Sequence, residues 1–160
     1  MNFSKRIVYI WGLLLFIVSC LVGCRTENIK EKEFFSNVLN SDVKSLDCYN
    51  YVVVIPGAGC HGCIQESEYF LKQNIQREDI LFIISNPQSL KILQNKIGLK
   101  LNDYSNVLIN KTSDFQVPTH NSVYPAVVYL NEDKEVKKVE FQTPNTSAFH
   151  NLDLVLVSNK

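Results

Sequence analysis

The stretch Tyr51–Leu71, YVVVIPGAGCHGCIQESEYFL, decides the fold. From Tyr51 to Ile55 the chain is continuously apolar and largely β-branched rather than alternating, the pattern of an interior strand covered on both faces. Pro56-Gly57-Ala58-Gly59 ends that strand, and a helix is predicted to open near Cys60. Cys60-His61-Gly62-Cys63 therefore places two thiols where a helix begins. Unpaired N–H groups and the positive end of the helix dipole favour a thiolate there, and the thiolate is the reactive form of cysteine. By itself such a pair admits metal ligation, a structural staple or redox exchange.

Downstream, Ile64, Leu71 and Ile75 form an apolar stripe with Phe70 beside it, and Glu68 and Lys72 stand at i,i+4 on the solvent side. Ile80–Ile84 reads as a second buried strand, which closes a βαβ unit with a right-handed crossover. Asn86-Pro87 is expected to open another helix with Pro87 in its first turn, buried through Leu90, Ile92, Leu93 and Ile97 and ended by Gly98. A short strand is predicted at Asn106–Ile109, and Asn110–Val123 reads as irregular chain anchored by Phe115 and Val117.

Tyr124–Leu130 is a strand headed by Pro125, Asn131–Lys134 a hairpin turn, and Glu135–Phe141 an alternating partner strand, so this pair is antiparallel. A helix over Ser147–Val157 closes the chain, burying Phe149, Leu152, Val155 and Leu156. Upstream, Glu33–Asn40 spaces Phe34, Phe35, Val38 and Leu39 as a short amphipathic helix packing on the sheet edge. Cys48 lies in a connecting segment and is read as a small core residue beside the first strand. The fold class that results is α/β, a central mixed β-sheet flanked by helices.

With 160 residues, 46% hydrophobic and 20% charged, the composition is that of one globular domain. Sixteen basic against 16 acidic side chains leave no positive excess to neutralise phosphates, which argues against a nucleic-acid partner. The first residues have the layout of an export signal: Lys5 and Arg6, then an apolar run from Ile7 to Cys20 that is short for the roughly 20 residues of a membrane span. Leu21-Val22-Gly23-Cys24 resembles the bacterial lipobox. That resemblance implies that residues 1–23 are removed as a lipoprotein signal peptide and that Cys24 carries the lipid, palmitate-type chains included. Residues 24–32 would then be a tether and 33–160 the folded domain, anchored through lipid outside the cytoplasm. An uncleaved membrane anchor is the alternative, and it too places the domain outside the cytoplasm. Cys20 leaves with the signal and Cys24 is consumed, so Cys48, Cys60 and Cys63 remain in an oxidising compartment, with Cys60 and Cys63 the adjacent pair.

The order strand, CxxC at a helix start, strand, helix, proline-led strand, antiparallel strand, final helix resembles the thioredoxin fold over roughly Val52–Val157. The residues that carry the resemblance are Cys60-His61-Gly62-Cys63 after a buried strand and Tyr124-Pro125 at the head of another. It implies a thioredoxin-like three-layer sandwich in which the proline is cis and its loop lies against the sulfurs. It also implies that Cys60 attacks a substrate disulfide, that Cys63 resolves the mixed disulfide, and that the backbone at Tyr124 and Pro125 pairs with extended substrate. Glu66 completes a Cys-x-x-Cys-x-x-Glu run similar to that of extracytoplasmic, membrane-anchored thioredoxin-like reductases, and with His61 it is a candidate for tuning the pair. Gly59 stands where thioredoxins have Trp, Val54 where they have a buried Asp, and His-Gly replaces their Gly-Pro, so potential and direction do not carry over.

The expected function is thiol-disulfide exchange with exported cysteine-containing proteins or a membrane redox partner, with no cofactor. The alternative is a non-catalytic thioredoxin-fold lipoprotein that acts as a binding or metal-delivery module. A zinc site is disfavoured because four ligands are needed and no second CxxC or spaced His pair is present; His120, His150 and Cys48 would have to converge. The threonine-led single-cysteine motif that marks peroxiredoxins is missing.

Overall fold

The computed structural model describes residues 28–158. Its centre is the strand the sequence marks as interior. β1 (Tyr51–Pro56) is third in a five-stranded sheet of order β3-β2-β1-β4-β5. β2 (Ile80–Ser85) runs parallel to it, with Tyr51 opposite Ile80 and Pro56 opposite Ser85, and β3 (Val107–Asn110) runs parallel to β2 at the edge. β4 (Ala126–Leu130) is antiparallel to β1, with Val54 opposite Ala126, and β5 (Val136–Phe141) is antiparallel to β4. Among the described residues four helices flank the sheet: α1 (residues 28–42), α2 (His61–Asn74), α3 (Leu90–Ile97) and α4 (Ala148–Ser158). This is the α/β, thioredoxin-like three-layer sandwich with a mixed sheet that the order of elements implied.

Alternate residues of β1 feed two cores, because successive side chains of a strand point to opposite faces. Val53 and Ile55 join Phe70 and Leu71 of α2, Phe82 and Ile84 of β2, and Phe149 and Leu152 of α4. Val52 and Val54 join Phe35, Val38 and Leu39 of α1, with Phe115 and Val117 from the irregular segment before β4. Each fully buried side chain of this kind contributes about 1.5–3 kcal/mol relative to exposure, so β1 is held equally from both sides. The β4–β5 turn places Lys134 in the left-handed region, and its Nζ donates to the Tyr49 carbonyl at 2.9 Å, tying the hairpin to the start of β1.

Several local expectations change. The first helix covers a sheet face rather than an edge, and it includes residues 28–32 of the segment read as a tether. Glu31 is buried in line with Phe35 and Val38, so the helical stripe continues one turn upstream. The signal-peptide residues 1–23 and Cys24 lie outside the described residues. α3 starts at Leu90 with Ser89 as its N-cap, not at Pro87, because Asn86 turns the chain with φ 48° before the helix can begin; Ile92 consequently faces solvent. Gly98 ends α3 in the left-handed conformation, as its position suggested. Glu68 pairs with Lys96 of α3 instead of Lys72 on its own helix. Cys48 is exposed in the loop before β1 and is not a core residue. Among the described residues no helix is long and apolar enough to cross a membrane.

Candidate functional site

The two cysteines sit at the C-terminal end of β1, where the chain leaves the sheet. Cys60 is the N-cap of α2, with extended backbone, and its Sγ accepts the Cys63 N–H at 3.4 Å. A Ser, Thr or Asp oxygen ordinarily fills that role; here a sulfur takes the orphan amide of the first turn. Cys60 and Cys63 are joined as a disulfide with Cα atoms 5.3 Å apart. Cys63 is only 4% exposed, packed as part of the buried face of α2, whereas Cys60 is half-exposed. Cys60 is thus the more accessible residue of the pair, and Cys63 belongs to the interior.

Two close approaches fix the loop that carries Cys60. The Gly57 N–H donates to Ser85 O at 2.7 Å, and the Cys60 N–H donates to Val123 O at 3.0 Å. Gly57 lies so near the β2–α3 turn that a Cβ would stand 2.6 Å from the Asn86 carbonyl carbon. Gly59 has φ 146°, and a Cβ there would be 2.9 Å from Val123 Cα and nearer still to its carbonyl oxygen. Gly59 is therefore a requirement of this site: any larger residue before Cys60, Trp included, would displace the Val123 turn.

That turn is a short 3-10 segment, His120–Val123, leading into Tyr124-Pro125 and β4. The expected loop does lie against the cysteine loop, but its contact is made by Val123. No cis peptide bond occurs among the described residues, so the Tyr124–Pro125 bond is trans, contrary to the expectation drawn from the resemblance. Pro125 O accepts the Gln142 N–H at 2.8 Å, which anchors the head of β4 to the end of β5.

Gln142 is buried and uses its whole amide. Its Nε2 donates to Glu66 of α2, and its Oε1 accepts the Phe149 N–H in the first turn of α4 at 3.2 Å. Glu66 is thereby joined to the proline segment through one side chain, although the residue itself is exposed. His61 is exposed on the first turn of α2 and borders a groove with Ile64, Pro87 and Ile92. Glu66 and Gln142 border a second, open groove with Tyr69, His150 and Asp153. Burial there pushes the Asp153 carboxyl up, against the opposing influence of His150 and Arg77.

The other support comes from α1. Glu31 is 4% exposed, and its Oε1 accepts hydrogen bonds from Thr119 Oγ1 at 2.7 Å and Asn121 Nδ2 at 2.8 Å. A carboxylate of the first helix therefore holds the 3-10 turn that in turn holds the Cys60 amide.

Cys60, Cys63, His61, Glu66, Tyr124 and Pro125 all gather at this end of the sheet. Cys48 does not, because it precedes the opposite end of β1, beside Tyr49 and Arg77. No group of three or more His, Cys, Asp and Glu side chains among the described residues is placed to hold a metal ion. Glu31, Gln142 and the paired glycine approaches are contributions that the motif alone does not announce. A signal for Glu31 exists, since it stands one helical turn before Phe35.

No family model matches the chain, and no curated protein does. Among solved structures, a thiol peroxidase from Chromobacterium violaceum superposes with a TM-score of 0.38 at 15% identity, covering 68% of this chain and 70% of that one. A thioredoxin-like protein from Bacteroides caccae superposes with a TM-score of 0.37 at 14% identity, covering 70% of this chain and 41% of that one.

Proposed function

We propose that this chain is a thiol-disulfide oxidoreductase that exchanges the Cys60–Cys63 dithiol and disulfide with exported proteins or a partner redox domain. The observation that carries the proposal is the asymmetry of the pair: Cys60 half-exposed at the helix N-cap, Cys63 buried one turn behind it. In the reducing direction the Cys60 thiolate attacks one sulfur of a substrate disulfide, a mixed disulfide forms, and the other substrate sulfur leaves as a thiolate and takes up a proton. Cys63 then loses its proton and attacks Cys60 Sγ, closing the disulfide and releasing the second substrate thiol. Two electrons pass from the dithiol to the substrate, and the oxidising direction is the same sequence reversed.

The local structure suits each step. The Cys63 N–H that meets Cys60 Sγ in the disulfide becomes a charge-assisted donor to a Cys60 thiolate, and the N-terminus of α2 adds its dipole. Residues 21–24 support a lipid-anchored, extracytoplasmic setting, with Cys24 as the lipidated residue. Dithiol-dependent reduction of insulin tests the activity, with the midpoint potential of the pair fixing direction. Turnover that disappears in Cys60→Ser supports the proposal. Absence of turnover, with Cys60→Ser indistinguishable from wild type in binding its partners, would leave a binding module instead.

A further inference from the structure

A cavity of about 250 Å³ lies beside the cysteine loop, on the sheet face covered by α1. Its floor is made of buried residues, Phe35, Val54, Phe115, Val117 and Ala126, with Ser85 among them. More accessible side chains complete the lining, among them Asn86, Gln116, Asn121, Ser122 and Tyr124. Every polar group in that lining is an amide or a hydroxyl; none is charged. The buried carboxylate nearby, Glu31, stands behind Asn121 and is already engaged by that residue and Thr119.

We infer that this cavity receives an uncharged side chain, an aromatic one with a polar tip suiting it best, from the polypeptide whose disulfide exchanges with Cys60. The inference rests on the exchange activity proposed above and adds the chemical class of its substrate. Three observations carry it. Position comes first: Gly57 and Ala58 of the cavity wall lead into Cys60, while Ser122 and Tyr124 flank Val123, whose carbonyl accepts the Cys60 N–H. An occupant therefore lies against the loop that carries the reacting sulfur. Size comes second, because the cavity is smaller than the roughly 300–1,000 Å³ that takes a drug-sized molecule, so it suits one side chain rather than a cofactor. Polarity comes third. An apolar floor stabilises a ring, amides and hydroxyls satisfy its polar end, and a charge entering without a counter-charge would lose its hydration uncompensated.

The test uses the full chain and two substrates in parallel. Hydroxyethyl disulfide, which has no side chain to place, reports exchange alone. Disulfide-bridged peptides with Tyr, Glu or Lys next to the cysteine report the cavity. The tyrosine peptide is expected to react with a kcat/KM about tenfold or more above the glutamate and lysine peptides, because each charged side chain would be desolvated unpaired. Gln116→Glu should restore the lysine peptide and further weaken the glutamate one. Binding of N-acetyltyrosinamide to the oxidised chain, followed by amide shifts at Phe115, Gln116 and Ser122, gives a readout that needs no turnover. Equal rates across the peptides, a preference for lysine in the unmodified chain, or no saturable shift would overturn the inference. Failure with hydroxyethyl disulfide would instead remove the exchange activity itself.

Discussion

Replacing Gly59 by alanine is the perturbation whose outcome the site geometry fixes most narrowly. The new Cβ would stand 2.9 Å from both Val123 Cα and its carbonyl carbon, and both are backbone atoms that no rotamer change can clear. Gly59 also sits at φ 146°, a conformation that costs a residue with a side chain about 1–3 kcal/mol. Displacing the Val123 turn would break the Cys60 N–H to Val123 O bond, a further ~0.5–1.5 kcal/mol. Together these put the loss at about 1.5–4.5 kcal/mol, a large part of the stability of a domain this size. Urea unfolding of the oxidised protein measures it, and the Cys60–Cys63 midpoint potential should shift in the same variant because the Cys60 amide is released. Gly62, two residues along the same motif, is the internal control: a Cβ there meets nothing within 4 Å. Gly62→Ala should leave stability unchanged or raise it by up to about 1 kcal/mol, since glycine is the weaker helix former. A Gly59→Ala protein as stable as wild type with an unchanged potential would refute the reasoning.

Glu31→Ala should lower stability by about 2–4 kcal/mol in urea unfolding, since it leaves the Thr119 hydroxyl proton and the Asn121 side-chain N–H without their acceptor and opens a hole under the turn. It should also slow exchange at Cys60, whereas Glu33→Ala, on an exposed part of the same helix, should change neither. Burial alone would push the Glu140 carboxyl up, but hydrogen bonds from Lys138, Tyr129 and Asn151 hold it below its usual range. A carboxyl depressed in the folded state adds stability above its unfolded value of about 4.3 and loses it as pH falls through the lower folded value. Unfolding curves from pH 5 to pH 2 should therefore fall more steeply for wild type than for Glu140→Gln. Asp153 runs the other way: its carboxyl is raised by burial, so the charged form costs stability at neutral pH. Asp153→Asn should be the more stable protein at pH 7, with the gap closing near pH 3.

Much of this architecture is written in local pattern. The unbroken apolar run of β1, the glycine break and the cysteine N-cap are each set by neighbours in sequence, so strand, turn and helix emerge where the residues put them. The β4–β5 hairpin and the anchoring by Phe115 and Val117 are legible for the same reason. What escaped depends on contacts between distant segments. Glu31 looks like part of a polar tether because its partners are 88 and 90 residues away. Gln142 reads as an ordinary strand-end polar residue until Glu66, Pro125 and Phe149 are brought round it. Pro87 looks like a helix start, but the left-handed turn at Asn86, pressed against Gly57, postpones α3 to Leu90. Cys48 reads as a core residue because small thiols are commonly buried, yet it lies in an exposed loop whose polar neighbours, Lys44, Ser45, Asp47 and Asn50, keep it at the surface. The cavity beside Tyr124 is likewise invisible in sequence, since five separate segments, from Phe35 to Phe141, build its walls.

The division of labour between the two sulfurs is tested most directly by trapping. Reduced Cys63→Ser and Cys60→Ser proteins would be offered the same disulfide-bonded insulin and analysed under non-reducing conditions. On the proposed function the half-exposed Cys60 would attack and the buried Cys63 would resolve, so Cys63→Ser should accumulate a stable mixed disulfide while Cys60→Ser forms none. Equal trapping by both variants, or a mixed disulfide formed only through Cys63, would contradict the account.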